Sequence, residues 1–281
     1  MVRRESTSLG IPGTVHVGDV RDVTSIRDAV RGTDAVVHCA SYVGYDPEVC
    51  QETNVAGTQN VVEACAAEGI DRLVYMSTAS VYGSGPHCGA REDELEVRPE
   101  SALSRSRADA ETVVLDAGGL VLRPDMVFGP GDKWFGPGLI RFTRSVGGLV
   151  ENGAALMSVV HVDDLGFVAA RLATADSFTH GALNVSYDQP ASVSEIVNFL
   201  QIAPDGLASP PSITRPAAQA LAAAAGFTTR QFALLTTDHW FSAGKLRAAL
   251  DLDDWSGPRV KDDDIAWYRA RCDPIGESPA G

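Results

Sequence analysis

Short apolar runs separated by longer stretches with helical spacing set the plan of this chain. Asp34–Ala40 (DAVVHCA), Arg72–Ser77 (RLVYMS) and Gly119–Pro124 (GLVLRP) are apolar without alternation. Strands read this way when a parallel sheet is covered on both faces. Between them, Gln51–Glu68 places Val55, Val61, Val62 and Cys65 at helical spacing and stops at Gly69. Ala102–Leu115 is a second helix, with Ser101 or Ser104 as its cap. Thr24–Val30 is a shorter one, capped by Thr24 or Ser25. Gly13–Gly18 is a short β-rich run, and Ala217–Ala225 is alanine-rich and helical. Strands alternating with helices predict βαβ units and a doubly wound α/β sheet.

The chain has 281 residues, enough for one large or two interleaved α/β domains. Its charge balance, 23 basic against 37 acidic residues, gives a net −14. That argues against nucleic acid and anionic membrane surfaces, which attract basic patches. Five cysteines, Cys39, Cys50, Cys65, Cys88 and Cys272, are widely spaced with no CxxC pair, so neither a disulfide framework nor a zinc site is expected. A reducing cytoplasm fits. No apolar run reaches the ~18 residues of a membrane span.

Several motifs, in order, resemble the extended, epimerase/dehydratase branch of the short-chain dehydrogenase/reductases. They are Gly18-Asp19-Val20-Arg21-Asp22, His38-Cys39-Ala40-Ser41, Thr53-Asn54-Val55-Ala56-Gly57-Thr58, and Leu122-Arg123-Pro124 followed by Val127-Phe128-Gly129-Pro130-Gly131. Val160 to Leu165 (VHVDDL), Leu183-Asn184-Val185 and Phe241 to Leu246 continue the series. The resemblance implies a Rossmann-type domain, residues 1–127 and 159–186. A smaller C-terminal substrate lid would comprise 128–158 and 187–272, with 273–281 as a flexible tail. It places cofactor contacts at Asp19, Val20, Cys39, Ala40, Ser41, Asn54, Met76, Ser77, Arg107, Pro124, Met126 and Val127. Arg3 and Arg4 fall where a 2′-phosphate would sit, and the forked donors of arginine suit phosphate. The cofactor implied is therefore NADPH (NADP+).

Two departures from the family pattern shape the expected chemistry. The family opens with a strand, a GxxGxxG loop and a helix; here the chain starts at Met1-Val2-Arg3-Arg4, which resembles the end of the second strand. The expectation is an internal start with the first βα unit missing. The family's Tyr-x-x-x-Lys is also absent. Leu103 and Arg107 occupy those positions, and Lys133, Lys245 and Lys261 are preceded four places back by Gly129, Phe241 and Gly257. Leucine donates no proton, and arginine holds its proton at neutral pH. Thr78, four residues before Tyr82, is a candidate hydrogen-bond donor to a substrate carbonyl. Asp125 is a candidate acid if a dry pocket raises its pKa. More often an aspartate in such a place is a turn residue. His161 beside Asp163 and Asp164 reads as a helix cap rather than a metal site.

Lost Tyr-x-x-x-Lys with otherwise retained cofactor motifs resembles the Tyr-less ketoreductases of aromatic polyketides such as angucyclinones. That resemblance implies a soluble NADPH-dependent ketoreductase in antibiotic biosynthesis, whose substrate carries its own proton donor. Tyr42, Thr78, Leu103, Trp134 and Phe135 would meet the flat small-molecule substrate, and an oligomer is compatible with this. The alternatives are a catalytically silent NAD(P)-binding regulator of the same fold, or a nucleotide-sugar epimerase.

Overall fold

A computed structural model describes residues 13–202, 210–252 and 254–272. Arg3 and Arg4 lie outside the described residues. The central sheet is parallel, in the order β1–β2–β4–β9: Val36–His38, Leu73–Met76, Leu120–Pro124 and Gly181–Val185. Every residue of β4 is buried, as are the first three of β2. These are the runs whose lack of alternation predicts two covered faces. Helices α3 (Gly57–Glu68), α4 (Ala102–Asp116) and α6 (Val162–Ala173) cover the sheet, α1 (Val23–Val30) packs on α3, and a short α2 (Pro47–Cys50) precedes α3.

Each boundary has a local cause. Asp22, rather than Thr24 or Ser25, caps α1 by accepting from Thr24 N at 3.0 Å. Ser101 and Ser104 form a reciprocal capping box that starts α4. Gly69 ends α3 in the left-handed region at φ 71°, where a side chain would be strained. The Gln51–Glu68 pattern holds as one helical run with a difference: Gln51–Ala56 is a π-helical turn between α2 and α3. Gly13–Gly18 forms no strand beyond a single bridge at Val17.

The remaining strands are β3 (His87–Ala90), β5 (Met126–Phe128), β6 (Leu149–Val150), β7 (Leu156–Met157), β8 (Val159–His161), β10 (Ala191–Ser192), β11 (Ser212–Ile213) and β12 (His239–Phe241). A second sheet has the order β10–β7–β12–β3, and two-stranded pairs join β11 to β6 and β5 to β8. Helices α5 (Phe135–Val146), α7 (Val193–Leu200), α8 (Arg215–Ala224), α9 (Thr229–Thr236), α10 (Gly244–Leu250) and α11 (Asp262–Cys272) complete the described chain. The main hydrophobic core spans both parts, from Val74, Leu120 and Leu122 of the central sheet to Phe142, Ile196 and Tyr268.

Candidate active site

The carboxyl ends of β1, β2 and β4 lie side by side, the place where open α/β sheets bind ligands. They carry three groups of expected site residues. Cys39, Ala40 and Ser41 follow β1. Met76, Ser77 and Thr78 end β2. Pro124, Asp125, Met126 and Val127 run from β4 into β5. Cys39 and Ala40 are exposed, while Ser77 and Met126 are buried.

Arg107 reaches this place from α4. Its guanidinium lies 5.1 Å over the Tyr75 ring, donates through Nη2 to the Met76 carbonyl, and is buried. Its Nε and the Tyr75 hydroxyl are buried without a partner. His38, at the end of β1, is pushed down to about 4, by burial first and by the Arg107 charge second. It therefore stays neutral, with Nε2 3.0 Å from Thr58 Oγ1. Leu103 is half-buried in the first turn of α4, four residues before Arg107.

Asn54 in the π-helical turn binds four protein groups. Its Oδ1 accepts from Tyr42 N (2.7 Å) and Ser41 Oγ (3.2 Å), and its Nδ2 donates to Tyr42 O (3.1 Å) and Ser106 Oγ (2.9 Å). The loop after β1, with the half-buried Tyr42, is thereby tied to α4. Thr78 Oγ1 makes local bonds: it accepts from Ser80 N and donates to Ser80 Oγ, each at 3.2 Å, capping the turn Ala79–Tyr82. Asp125 is held against His239, Oδ2 to Nδ1 at 3.1 Å, both side chains 6% exposed. Trp134 is 64% exposed, whereas its neighbour Phe135 is buried in the main core. Asp19 pairs with Arg21 at 2.8 Å, and Val20 is buried against Gly57. His161 does cap α6, accepting from Asp163 N at 3.2 Å, and also meets buried Asp264 at 3.0 Å.

Beneath the strand ends runs a buried network that single motifs did not reveal. Ser77 Oγ donates to Glu111 Oε1, and Arg123 donates to both oxygens of Glu111. Arg123 Nη1 donates to the Tyr82 hydroxyl at 2.8 Å, which donates to Asn184 Oδ1 at 2.8 Å. With its proton committed to Glu111, Ser77 offers only lone pairs to the strand-end site. Asn184 and Arg123 sit in quoted motifs and Tyr82 follows Thr78 by four, yet their convergence depends on the β4–β9 register. Among the described residues no group of three or more His, Cys, Asp or Glu could hold a metal ion, and no helix is long and apolar enough to cross a membrane.

Residues 2–175 match the 3-beta hydroxysteroid dehydrogenase/isomerase family, and the chain belongs to that family. It is similar to a 2-alkyl-3-oxoalkanoate reductase of Stenotrophomonas maltophilia, 34% identical over 203 residues, covering 65% of this chain and 60% of that protein. It also resembles short-chain dehydrogenase/reductase family 42E member 1 of Danio rerio, 31% identical over 191 residues, covering 57% of this chain and 47% of that one. The chain spans about half the length of the curated relatives it matches. Two solved structures share the fold. The UDP-glucuronic acid 4-epimerase of Bacillus cereus, in complex with NAD, superposes with a TM-score of 0.63 at 18% identity, covering 89% of this chain and 79% of that one. RMD of Pseudomonas aeruginosa, complexed with NADPH, gives 0.65 at 20% identity, covering 94% and 90%.

Proposed function

We propose that the protein is an NADPH-dependent ketoreductase acting on a flat, polycyclic aromatic ketone of the angucyclinone type, and that the substrate supplies the proton. The observation that carries this is Leu103. It stands in the first turn of α4, one helical turn before Arg107, where the family's acid and its lysine would stand. Two relatives' names point the same way: one is a reductase of a 3-oxoalkanoate, and a yeast relative is a sterol-4-alpha-carboxylate 3-dehydrogenase, 35% identical over 136 residues. The first is ketone reduction, and the second concerns a fused-ring skeleton.

The strand-end residues fit a nicotinamide cofactor. Arg107 has a buried Nε with no acceptor, at the place where ribose hydroxyls would offer one. Arg107 and the residues after β1, β2 and β4 would hold it, Asn54 fixing the loop after β1 through bonds that use all of its side chain, with the 2′-phosphate assigned to Arg3 or Arg4. When bound, it supplies the hydride. Arg107 fixes positive charge at the end of β2, Thr78 has a hydroxyl whose proton is turned to Ser80 Oγ, and Leu103 presents an apolar surface to the ring system. An alkoxide forming on such a ketone takes a proton from a phenol ortho or peri to it. The protein has then to orient the ring and keep water away. Residues 128–158 and 187–272 are assigned to that lid.

Oxidation of NADPH with an o- or peri-hydroxyaryl polycyclic ketone tests the reading. Turnover is expected with the free phenol and is expected to fall about 10²-fold or more on its methyl ether, the scale of a lost general acid. Full turnover of the ether would overturn substrate-supplied protonation and turn attention to Thr78. Leu103→Tyr with Arg107→Lys is expected to lower kcat/KM on the phenol by about 10²-fold, because the added ring displaces the substrate. A gain in the double variant would instead mark a decayed ordinary reductase.

A further inference from the structure

Between Tyr82 and α4 the chain makes an excursion, residues 83–100, that leaves the central sheet and adds β3 to the edge of the second one. Its two ends are site elements: the Ala79–Tyr82 turn capped by Thr78, and the α4 start bearing Leu103. The excursion walls a cavity of about 680 Å³ lined by Tyr82, Ser84, His87, Glu96, Arg98 and Glu100, among others. β3 pairs with β12 in parallel, His87 against His239 and Cys88 against Trp240. At the cavity end of that pairing the two imidazoles meet edge-on, centroids 5.2 Å apart, and both residues are buried. At the far end, Glu92 Oε1 accepts from Asn184 N at 2.7 Å, and Lys245 lies 3.8 Å from Glu92.

We propose that His87 and His239 form a proton-operated clip, which keeps the 83–100 excursion docked and its cavity formed near neutral pH and releases it on acidification. His239 has an anionic partner, Asp125, on one side. His87 has none in contact; its Nε2 lies 3.3 Å from the Gly83 carbonyl. The charged and titratable groups facing His87 are His239 of β12, Asp125 after β4, Glu100 within the excursion and, at 6.4 Å between ring centres, Tyr82. One of the two rings is provided for as a cation and the other is not. A second positive charge, 5.2 Å from the first, repels it.

The titration directions agree with the geometry. Burial first, and the neighbouring His239 among the weaker causes, hold His87 below the ordinary 6.5, despite the Gly83 carbonyl. Burial also works against charge on His239, but Asp125 together with the Gly83 and His239 backbone carbonyls outweighs it and the net shift is upward. A lowered histidine weakens the docked state as pH falls below its ordinary value. A raised one contributes fully below that value and is lost as pH rises through its own. Docking is therefore tightest between the two, with an acid limb set by His87 and an alkaline limb set by His239.

Amide hydrogen exchange on the full chain reads this without any assay of activity. After correction for intrinsic rates, protection of the β3 amides is expected to drop severalfold between about pH 6.5 and about pH 5, while that of β2 stays level. His87→Phe keeps a ring against His239 and Phe241 but cannot charge, so its protection is expected not to fall over that range. His87→Gln gives the same reading should the phenylalanine variant fail to fold. Level protection in the wild type, or an acid loss that persists in the folded variants, would overturn the clip.

Discussion

Replacing Glu111 by alanine is expected to destabilise the protein by about 3–5 kcal/mol, the usual cost of stranding one member of a buried ion pair. The Glu111 and Arg123 side chains are only 3% and 6% exposed. Without the carboxylate, Arg123 keeps its charge, because a guanidinium does not deprotonate in a protein, and finds only the Tyr82 hydroxyl as a partner. Ser77 loses its acceptor at the same time. The number measures the vacancy and not the worth of the pair. Changing both residues, Glu111→Leu with Arg123→Met, is therefore expected to recover much of the loss. Urea melts at neutral pH decide it: a single-variant loss below about 1 kcal/mol would mean that water or a neighbouring group takes over from the carboxylate.

A second large effect is expected at Gly136, in the first turn of α5. A Cβ there would stand 2.1 Å from Cε1 of Tyr268, a side chain with no exposed surface. The ring cannot swing aside cheaply. Its hydroxyl donates to Asp132 Oδ2 at 2.7 Å and accepts from Gly129 N at 2.9 Å, while Asp132 also accepts from the backbone N–H groups of Trp134, Phe135 and Gly136. Moving Tyr268 thus means moving α11 or undoing the cap of α5. Gly136→Ala is expected to cost about 3 kcal/mol, the upper end for overpacking. Gly138→Ala, two residues further on with open space around it, is expected to gain roughly 0.5–1 kcal/mol from helix propensity. Opposite signs in thermal melts would separate the close approach from the generic effect of removing glycine. Equal signs would contradict it.

The parts of the fold that a reader of the sequence can see are those with local causes. The parallel strands announce themselves because covering both faces removes alternation, as at Leu120–Pro124. Ser101 and Ser104 satisfy each other within one turn, so the start of α4 is legible too. Asp22 takes the cap of α1 because its carboxylate reaches Thr24 N from just outside the helix, a choice among three neighbouring candidates that composition does not rank. The site is harder to read because its contacts cross the chain. His87 meets His239 through a strand register that links positions 152 residues apart, and no spacing rule connects them. Trp134 and Phe135 are adjacent and equally aromatic, yet one is exposed and the other enters the core at the first residue of α5. That sorting follows from where Asp132 starts the helix, not from residue type.

The π-helical turn at Gln51–Ala56 has a bearing on how this stretch tolerates insertion and deletion. A wide turn of this kind holds one residue more than an α-turn over the same rise, and the surplus is absorbed without a break in the helical run. Deleting a single residue there would let ordinary α geometry run through from Pro47 to Glu68. The flanks would keep the faces they present now, and the rearrangement would fall on the residues of the turn itself. Asn54 would no longer face both the Tyr42 backbone and Ser106. A length change of one residue, which most surface helices register only as a shift of their exposed face, would here unfasten the loop that follows the first strand.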